Sequence, residues 1–336
     1  MSAKRVGVIM GGSSAEREVS LNSGRAVTEA LRAVGVEVIP VVLGPGVDAF
    51  AALKSSPMDA AFLALHGRLG EDGCIQGLLE VLGVPYTGSS VLSSALAMDK
   101  LKSKELFRLH NVPTPPYYVL GPDQGLEDLD DAHGSFGYPV VVKPRREGSS
   151  IGLSIASDPA ELERSVALAK QHDDSVLVER FVAGKEIAVG ILDGRVLGAI
   201  EIEPPAGLYD YDAKYTPGKT RYHQPARLPT TRYRGVLNLA ERAANALEVT
   251  GAARVDLIVT EGQNEYVLEV NTLPGMTQTS LLPKIAREAG YGFNELCDAI
   301  LKLAKLHTGE VSRRESATVV PLTSSPAIQA KLRAAV

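Results

Sequence analysis

The stretch Arg254–Ser280, RVDLIVTEGQNEYVLEVNTLPGMTQTS, constrains the chain more than any other. Two runs rich in β-branched and aliphatic residues flank Glu261-Gly262-Gln263-Asn264, which predicts an antiparallel hairpin. With the turn centred between Gly262 and Gln263, Asp256 falls opposite Glu269 and Arg254 opposite Asn271. Side chains alternate along a strand, so these four share one face. Val255, Leu257, Val259, Tyr266, Leu268 and Val270 make the other face, predicted to be core. Two carboxylates directly opposite each other repel. A solvated face tolerates such a pair. A third oxygen donor, Asn271, on the same face instead suits Mg²⁺, which takes one or two carboxylates plus substrate phosphates. On this reading the pair is strained until an ion binds. Asn271-Thr272-Leu273-Pro274-Gly275-Met276-Thr277 then forms a loop with backbone N–H groups beside the site.

The 336 residues exceed one typical core and predict two or three domains. A net charge of −5 argues against a nucleic-acid partner held through phosphates. No apolar run approaches the ~20 residues of a membrane span, and Met1–Arg5 leads into a strand without a signal-peptide pattern. Cys74 and Cys297 are far apart and read as free thiols of a reducing compartment, which predicts the cytoplasm.

In residues 1–98, apolar strands (Val6–Met10, Val36–Val42, Ala60–Leu65) alternate with a helix from about Glu18 to Val34. That alternation predicts a doubly wound parallel sheet. Gly11-Gly12 lacks the third glycine of a dinucleotide fingerprint, which weakens an NAD reading. Glu16 follows the first strand, at the end where ligands bind in open α/β sheets, and can hold a substrate ammonium. His66 follows the third strand on the same side.

Met98-Asp99-Lys100 opens a helix to about His110, capped by Asp99 or Ser94. Lys100, Lys102 and Lys104 are readable together as a solvated face. Lys143 ends the apolar strand Tyr138–Val142, where a lone buried ammonium requires an anion. The loop Arg145–Gly152 offers small residues and free N–H groups that can lie over phosphates, as a kinase glycine loop does. It is not a Walker A loop, since no GK[ST] follows. Farther on, Glu186 to Ile202 reads as two strands around Asp193-Gly194. The long polar, Tyr-rich segment from Glu203 to Gly218 reads as a lid.

Asp256 followed by Glu269-Val270-Asn271-Thr272-Leu273-Pro274-Gly275-Met276-Thr277 resembles the metal-binding end of the ATP-grasp ligases, and among them the D-alanine–D-alanine ligases, from about residue 5 to about residue 308. The resemblance implies an α/β fold: an N-terminal substrate-binding domain over 1–98, a central α+β ATP-grasp subdomain over 99–185, and a C-terminal antiparallel-sheet subdomain over 186–310. The tail 311–336 lies outside the family pattern, and both a disordered arm and a partner contact stay open for it. ATP is implied as cosubstrate, with two Mg²⁺ or Mn²⁺ ions on Asp256, Glu269 and Asn271. Lys100, Lys143 and Lys214 are implied at the nucleotide phosphates, with Glu179, Phe181 and Val182 at adenine and Glu186 at the ribose. Glu16 is implied at the first D-alanine ammonium and His66 near its carboxylate. Ser149 and Tyr215 complete that side of the site, and Tyr215 bears on the choice between D-alanine and D-lactate. Ser280 and Leu281 are implied beside the second D-alanine, and Arg254 and the Gly275 N–H where the bond forms. A homodimer is implied. The rivals are an ATP-grasp ligase for another acid and amine, such as D-alanine with D-lactate, and an inactive nucleotide-binding homologue.

Overall fold

The computed structural model describes residues 5–204, 219–262 and 264–308. The lid segment carrying Lys214 and Tyr215, Gln263 of the hairpin turn, and the tail 311–336 lie outside them.

The chain begins with β1 (Arg5–Gly11), α1 (Arg17–Ala33), β2 (Glu37–Leu43), α2 (Ala49–Ser55) and β3 (Ala60–Leu63). The strands form a parallel sheet in the order β2-β1-β3. Both faces are covered, which is why β1 is apolar and buried from Val6 to Gly11. Val6, Val8 and Met10 pack with α1 on one side. Ile9 packs with Leu53 of α2, and with Ile75 and Leu79 of α3 (Cys74–Leu82), on the other. Next come α4 (Val91–Met98) and α5 (Lys100–Leu109). Asp99 caps α5 by accepting the Lys102 N–H at 3.1 Å.

A second sheet, antiparallel and ordered β4-β7-β5-β6, contains β4 (Tyr117–Leu120), β5 (Val140–Pro144), β6 (Ser154–Ala156) and β7 (Val176–Arg180). With it go α6 (Leu129–His133) and α7 (Pro159–Ala169), the latter started by the Asp158 cap and Pro159. Alternate residues of β5 and β7, among them Val140, Val142, Val176 and Val178, bury against Leu162 and Val166 of α7.

The third sheet, also antiparallel, runs β10-β9-β8-β11-β12. It comprises β8 (Lys185–Leu192), β9 (Arg195–Glu203), β10 (Arg221–His223), β11 (Ala252–Val259) and β12 (Glu265–Asn271). Asp193-Gly194, both at positive φ, make the tight β8–β9 turn that an Asp-Gly pair predicts. Its core is shared with α8 (Thr230–Ala246) and with Phe107 of α5, so α5 is anchored on this sheet. After α9 (Leu281–Glu288), α10 (Phe293–Lys302) returns to the first sheet, where Leu296, Cys297 and Ile300 bury beside Val6 and Val8. The N-terminal core is therefore completed from the far end of the chain.

The β11–β12 register is the expected one at the site end: Arg254 pairs with Asn271 and Asp256 with Glu269. Beyond Asp256 it shifts, and Leu257 pairs with Val267. The expected core face is corrected there. Val267 is fully buried, whereas Leu268 is the extra residue of a β-bulge and lines the cleft described below. Tyr266, now opposite Ile258, also leaves the core face. A bulge re-aims one side chain without disturbing the strand ends.

If α10 is part of the N-terminal core, Leu296→Ala should cost about 2–5 kcal/mol in urea unfolding. Leu109→Ala, at a position 75% exposed, should stay within about 0.5 kcal/mol of the parent. Equal effects from the two would contradict this packing.

Candidate active site

At the site end of the hairpin, the Arg254 guanidinium clasps Asp256 with two bonds, Nε to Oδ1 at 2.7 Å and Nη2 to Oδ2 at 2.8 Å. The two residues are neighbours on one face because they are two apart on β11. Asn271 donates its amide N–H to Asp256 at 3.1 Å, and Lys100 Nζ lies 3.7 Å from Glu269. The expectation that this carboxylate pair is strained without a metal is thereby corrected: protein cations already stand beside both carboxylates. Carboxylate and amide oxygens at one strand end nevertheless fit Mg²⁺. Among the described residues, no group of three or more His, Cys, Asp or Glu is placed to hold a metal ion. An ion here would need the Asn271 amide oxygen and phosphate oxygens of a ligand.

The second wall comes from β5, β7 and the loop after β5. Lys143, at the end of β5, has the anion its position demands: Nζ lies 2.8 Å from Glu179 Oε2 on β7. The other Glu179 oxygen lies 2.6 Å from Lys104, which is completely buried. This corrects the reading of the three lysines as one solvated face. Only Lys102 is solvated, beside Glu105, while Lys100 and Lys104, one helical turn apart, both point inward. Burial would raise Glu179, but Lys104 and Lys143 hold it below the ordinary carboxylate range. Burial in turn pulls Lys104 down to about 8, opposed by Glu179 and aided by Lys143.

The loop itself is tightly held. Arg145 makes a bidentate pair with Asp99, both bonds 2.7 Å, and Lys100 Nζ donates to the Glu147 carbonyl at 2.5 Å. Ser149 and Ser150 adopt positive φ, 48° and 58°, unfavourable for residues with a Cβ, as the central pair of a turn closed by the Ile151 N–H donating to the Gly148 carbonyl at 3.0 Å. From there the Ser149 hydroxyl donates to Glu16 on the N-terminal domain. Arg68 reinforces the crossing with bonds to Glu147 at 2.5 Å and to the His172 carbonyl at 2.6 Å.

Between these walls lies a cleft of about 440 Å³. Lys100, Lys143, Glu179, Phe181, Val182 and Glu186 line it, together with Asp256 and Glu269. Val141, Ile202, Ile258 and the bulged Leu268 supply apolar surface. Beyond the Ser149–Glu16 contact, buried His66 places Nε2 at 3.2 Å from Ser23 Oγ, which accepts the Met276 N–H at 3.1 Å. Burial lowers His66 to about 4, against the Leu273 backbone bond and with help from Arg254, so its imidazole is neutral at pH 7. Gly275 sits against Ser280: a Cβ there would come 3.0 Å from Ser280 Oγ, which itself accepts the Thr277 N–H. The Leu281 side chain is buried among Ala188, Ile200 and Ile285, leaving only backbone to face a substrate. As the first residue of α9, its N–H has no acceptor within the helix. Lys214 and Tyr215 fall outside the described residues.

Sequence reasoning missed Lys104 and Glu71. The signal for Lys104 was its four-residue spacing from Lys100. Glu71 accepts the Gly67 N–H at 2.7 Å, and burial and Glu16 hold it above the ordinary carboxylate range. Nothing in its local sequence marks that placement.

Family models for the D-ala D-ala ligase N-terminus and C-terminus match residues 48–89 and 106–302. The chain belongs to the D-alanine–D-alanine ligase family. It is 51% identical over 307 residues to the D-alanine–D-alanine ligase of Geobacter sulfurreducens, covering 91% of this chain and 96% of that one. The ligase of Syntrophotalea carbinolica is 49% identical, with 91% and 98% covered. Among solved structures, the D-alanine–D-alanine ligase of Bacillus anthracis superposes with a TM-score of 0.79 at 40% identity, covering 90% of this chain and 97% of that one. A structure of that ligase complexed with ATP superposes at 0.77 and 37% identity, with the same coverage. VanG D-Ala:D-Ser ligase from Enterococcus faecalis superposes equally well at 29% identity, covering 89% and 99%. The α/β architecture expected from the motifs is that of this ligase family. No described helix is long and apolar enough to cross a membrane.

The His66 environment predicts a pH effect. The unfolded chain takes up a proton on this histidine below about pH 6.5, whereas the folded chain resists it down to about 4. Stability linked to His66 is therefore fully present above that window and lost as pH falls through it. The drop in urea midpoint between about pH 7 and about pH 5 should be smaller in His66→Gln than in the parent. An identical drop would remove the argument.

Proposed function

We propose that the chain joins two D-alanines into D-alanyl-D-alanine at the expense of ATP, a step that supplies peptidoglycan precursors. The observation that carries this reading is the Ser149–Glu16 bond. It sets the phosphate-loop residue directly on the carboxylate placed to hold an amino-acid ammonium. A nucleotide phosphate in the cleft and an amino acid at Glu16 would then meet at one point, which is what phosphorylation of a carboxylate requires.

In the first step, a carboxylate oxygen of the first D-alanine attacks the γ-phosphorus of ATP. The bond to the β–γ bridging oxygen breaks, giving an acyl phosphate and ADP. The second D-alanine, after its ammonium loses a proton, attacks the acyl carbon. The tetrahedral adduct collapses, the carbon–oxygen bond to phosphate breaks, and the dipeptide and inorganic phosphate leave. Phosphoryl transfer calls mainly for positioning and charge neutralisation. Lys100 and Lys143 supply cations from within the cleft, and we assign Lys214 the same role. Glu179, Phe181 and Val182 flank the adenine end, and Glu186 the ribose. Glu16 orients the first ammonium, and neutral His66 lies near its carboxylate. Arg254 and the Gly275 N–H face the oxyanion, and Ser280 with the Leu281 N–H the second amino acid. Tyr215 is assigned to the Ser149–Glu16 side of the site. Asp256, Glu269 and Asn271 would hold Mg²⁺ or Mn²⁺, two ions in all, which neutralise phosphate charge when bound. We place the reaction in the cytoplasm, in a homodimer, with domain boundaries at 98/99, 185/186 and 310/311.

The likeness to a D-Ala:D-Ser ligase favours one specific second reading, the same chemistry with another acceptor in place of the second D-alanine. Phosphate release from MgATP separates the two, measured with D-alanine, L-alanine, or D-alanine plus D-lactate or D-serine, and with product analysis. D-alanine-dependent release yielding D-alanyl-D-alanine is expected. Release only with a second acceptor would keep the mechanism and move the substrate, and no release in any mixture would favour an inactive homologue. Glu269→Gln should lower turnover at least about 100-fold with an unchanged urea midpoint, since even groups behind a metal ligand cost 10–100-fold.

A further inference from the structure

The roles proposed above leave Lys104 unused. It is one of the largest fully buried side chains in the protein and it carries an ammonium. Its partners are Glu179 at 2.6 Å, Thr114 Oγ1 at 2.5 Å and the Tyr117 ring, whose centroid is 5.6 Å away. A buried lysine is costly, and packing alone would be served by methionine or leucine. The arrangement is a linear triad, Lys104–Glu179–Lys143, in which Glu179 and Lys143 line the cleft and Lys104 lies behind them.

We propose that Lys104 is a positioning residue for the nucleotide, neutralising Glu179 from behind so that Lys143 keeps its positive field for the polyphosphate. Without Lys104, a single carboxylate 2.8 Å from Lys143 would cancel that ammonium as seen from the cleft. The pair would present no net charge to an incoming anion. With Lys104, the triad sums to one positive charge, and Lys143 is the cation of the triad that lines the cleft. In a desolvated site this difference is large, because unit charges a few ångströms apart interact far more strongly than in water. Thr114 and the Tyr117 ring accept the remaining Lys104 donors, which fixes the ammonium on the Glu179 side. The inference rests on the nucleotide-binding part of the proposed function.

The test is MgADP affinity, measured calorimetrically without any amino acid, together with KM and kcat. Lys104→Met should weaken MgADP at least about tenfold and raise KM for ATP in parallel. KM for D-alanine should stay within about threefold, since Lys104 touches Glu179, Thr114 and Tyr117 and none of the residues assigned to D-alanine. A purely structural role would lower kcat, KM for D-alanine and stability together. Lys104→Met combined with Glu179→Gln removes both buried charges, keeps an acceptor oxygen at 179, and leaves Lys143 uncancelled. This variant should bind MgADP within about threefold of Glu179→Gln alone, since Lys104 has no carboxylate left to neutralise there. Should Lys104→Met not fold, the double variant is compared with Glu179→Gln: a further loss of tenfold or more overturns the inference. So does a folded Lys104→Met with parental affinity. If the parent itself binds no MgADP, the proposed function falls instead, and the two failures are told apart.

Discussion

Glu16 meets Ser149 only because the backbone on both sides of its carboxylate lacks side chains. A Cβ at Gly148 would lie 2.6 Å from Glu16 Oε2, and one at Gly67 would lie 2.8 Å from the same atom. Gly67 also holds a positive φ, so two requirements converge on that glycine. From this close approach follows the geometry of the site. The loop after β5 is held down on the N-terminal domain by the Ser149–Glu16 bond, and Arg68 reaches over to Glu147.

The cleft is built from charges of both signs arranged in pairs. Asp256 is clasped by Arg254, Glu269 faces Lys100, Glu179 is shared by Lys143 and Lys104, and Asp99 anchors Arg145. Burying such groups costs desolvation energy that only paired, well-directed contacts offset. A site of this kind is poised rather than rigidly stable. On the proposed reading, a polyanion would compete for Lys100 and Lys143, and a divalent cation for Asp256 and Glu269.

Much of this was legible in the sequence because the informative residues are local. The hairpin ends, the Asp99 cap and the strand alternation around β1 follow from period and turn chemistry within a few residues. The pairing of Asp256 with Glu269 was read from a turn centred between Gly262 and Gln263; the register beside the turn is one residue off, and the bulge restores the expected pairing at the site end. The bulge at Leu268 was not legible, since an inserted residue leaves the hydrophobic pattern almost unchanged and shows only in which of Val267 and Leu268 is buried. Lys104 was misread because a lysine on a helix is ordinarily solvated, and its carboxylate partner is 75 positions away on β7. The closure of the N-terminal core by α10 was invisible for the same reason: amphipathic period identifies a buried face but not the sheet it meets.

The central claim is that a carboxylate oxygen of the first amino acid is transferred to the phosphate of ATP before the peptide bond forms. Turnover of D-alanine labelled with ¹⁸O in its carboxylate, followed by mass analysis of the released phosphate, tests it directly. The account predicts one ¹⁸O atom in each phosphate formed with dipeptide, because the attacking oxygen leaves on phosphorus. Phosphate carrying no label, released at the rate of dipeptide formation, would contradict it.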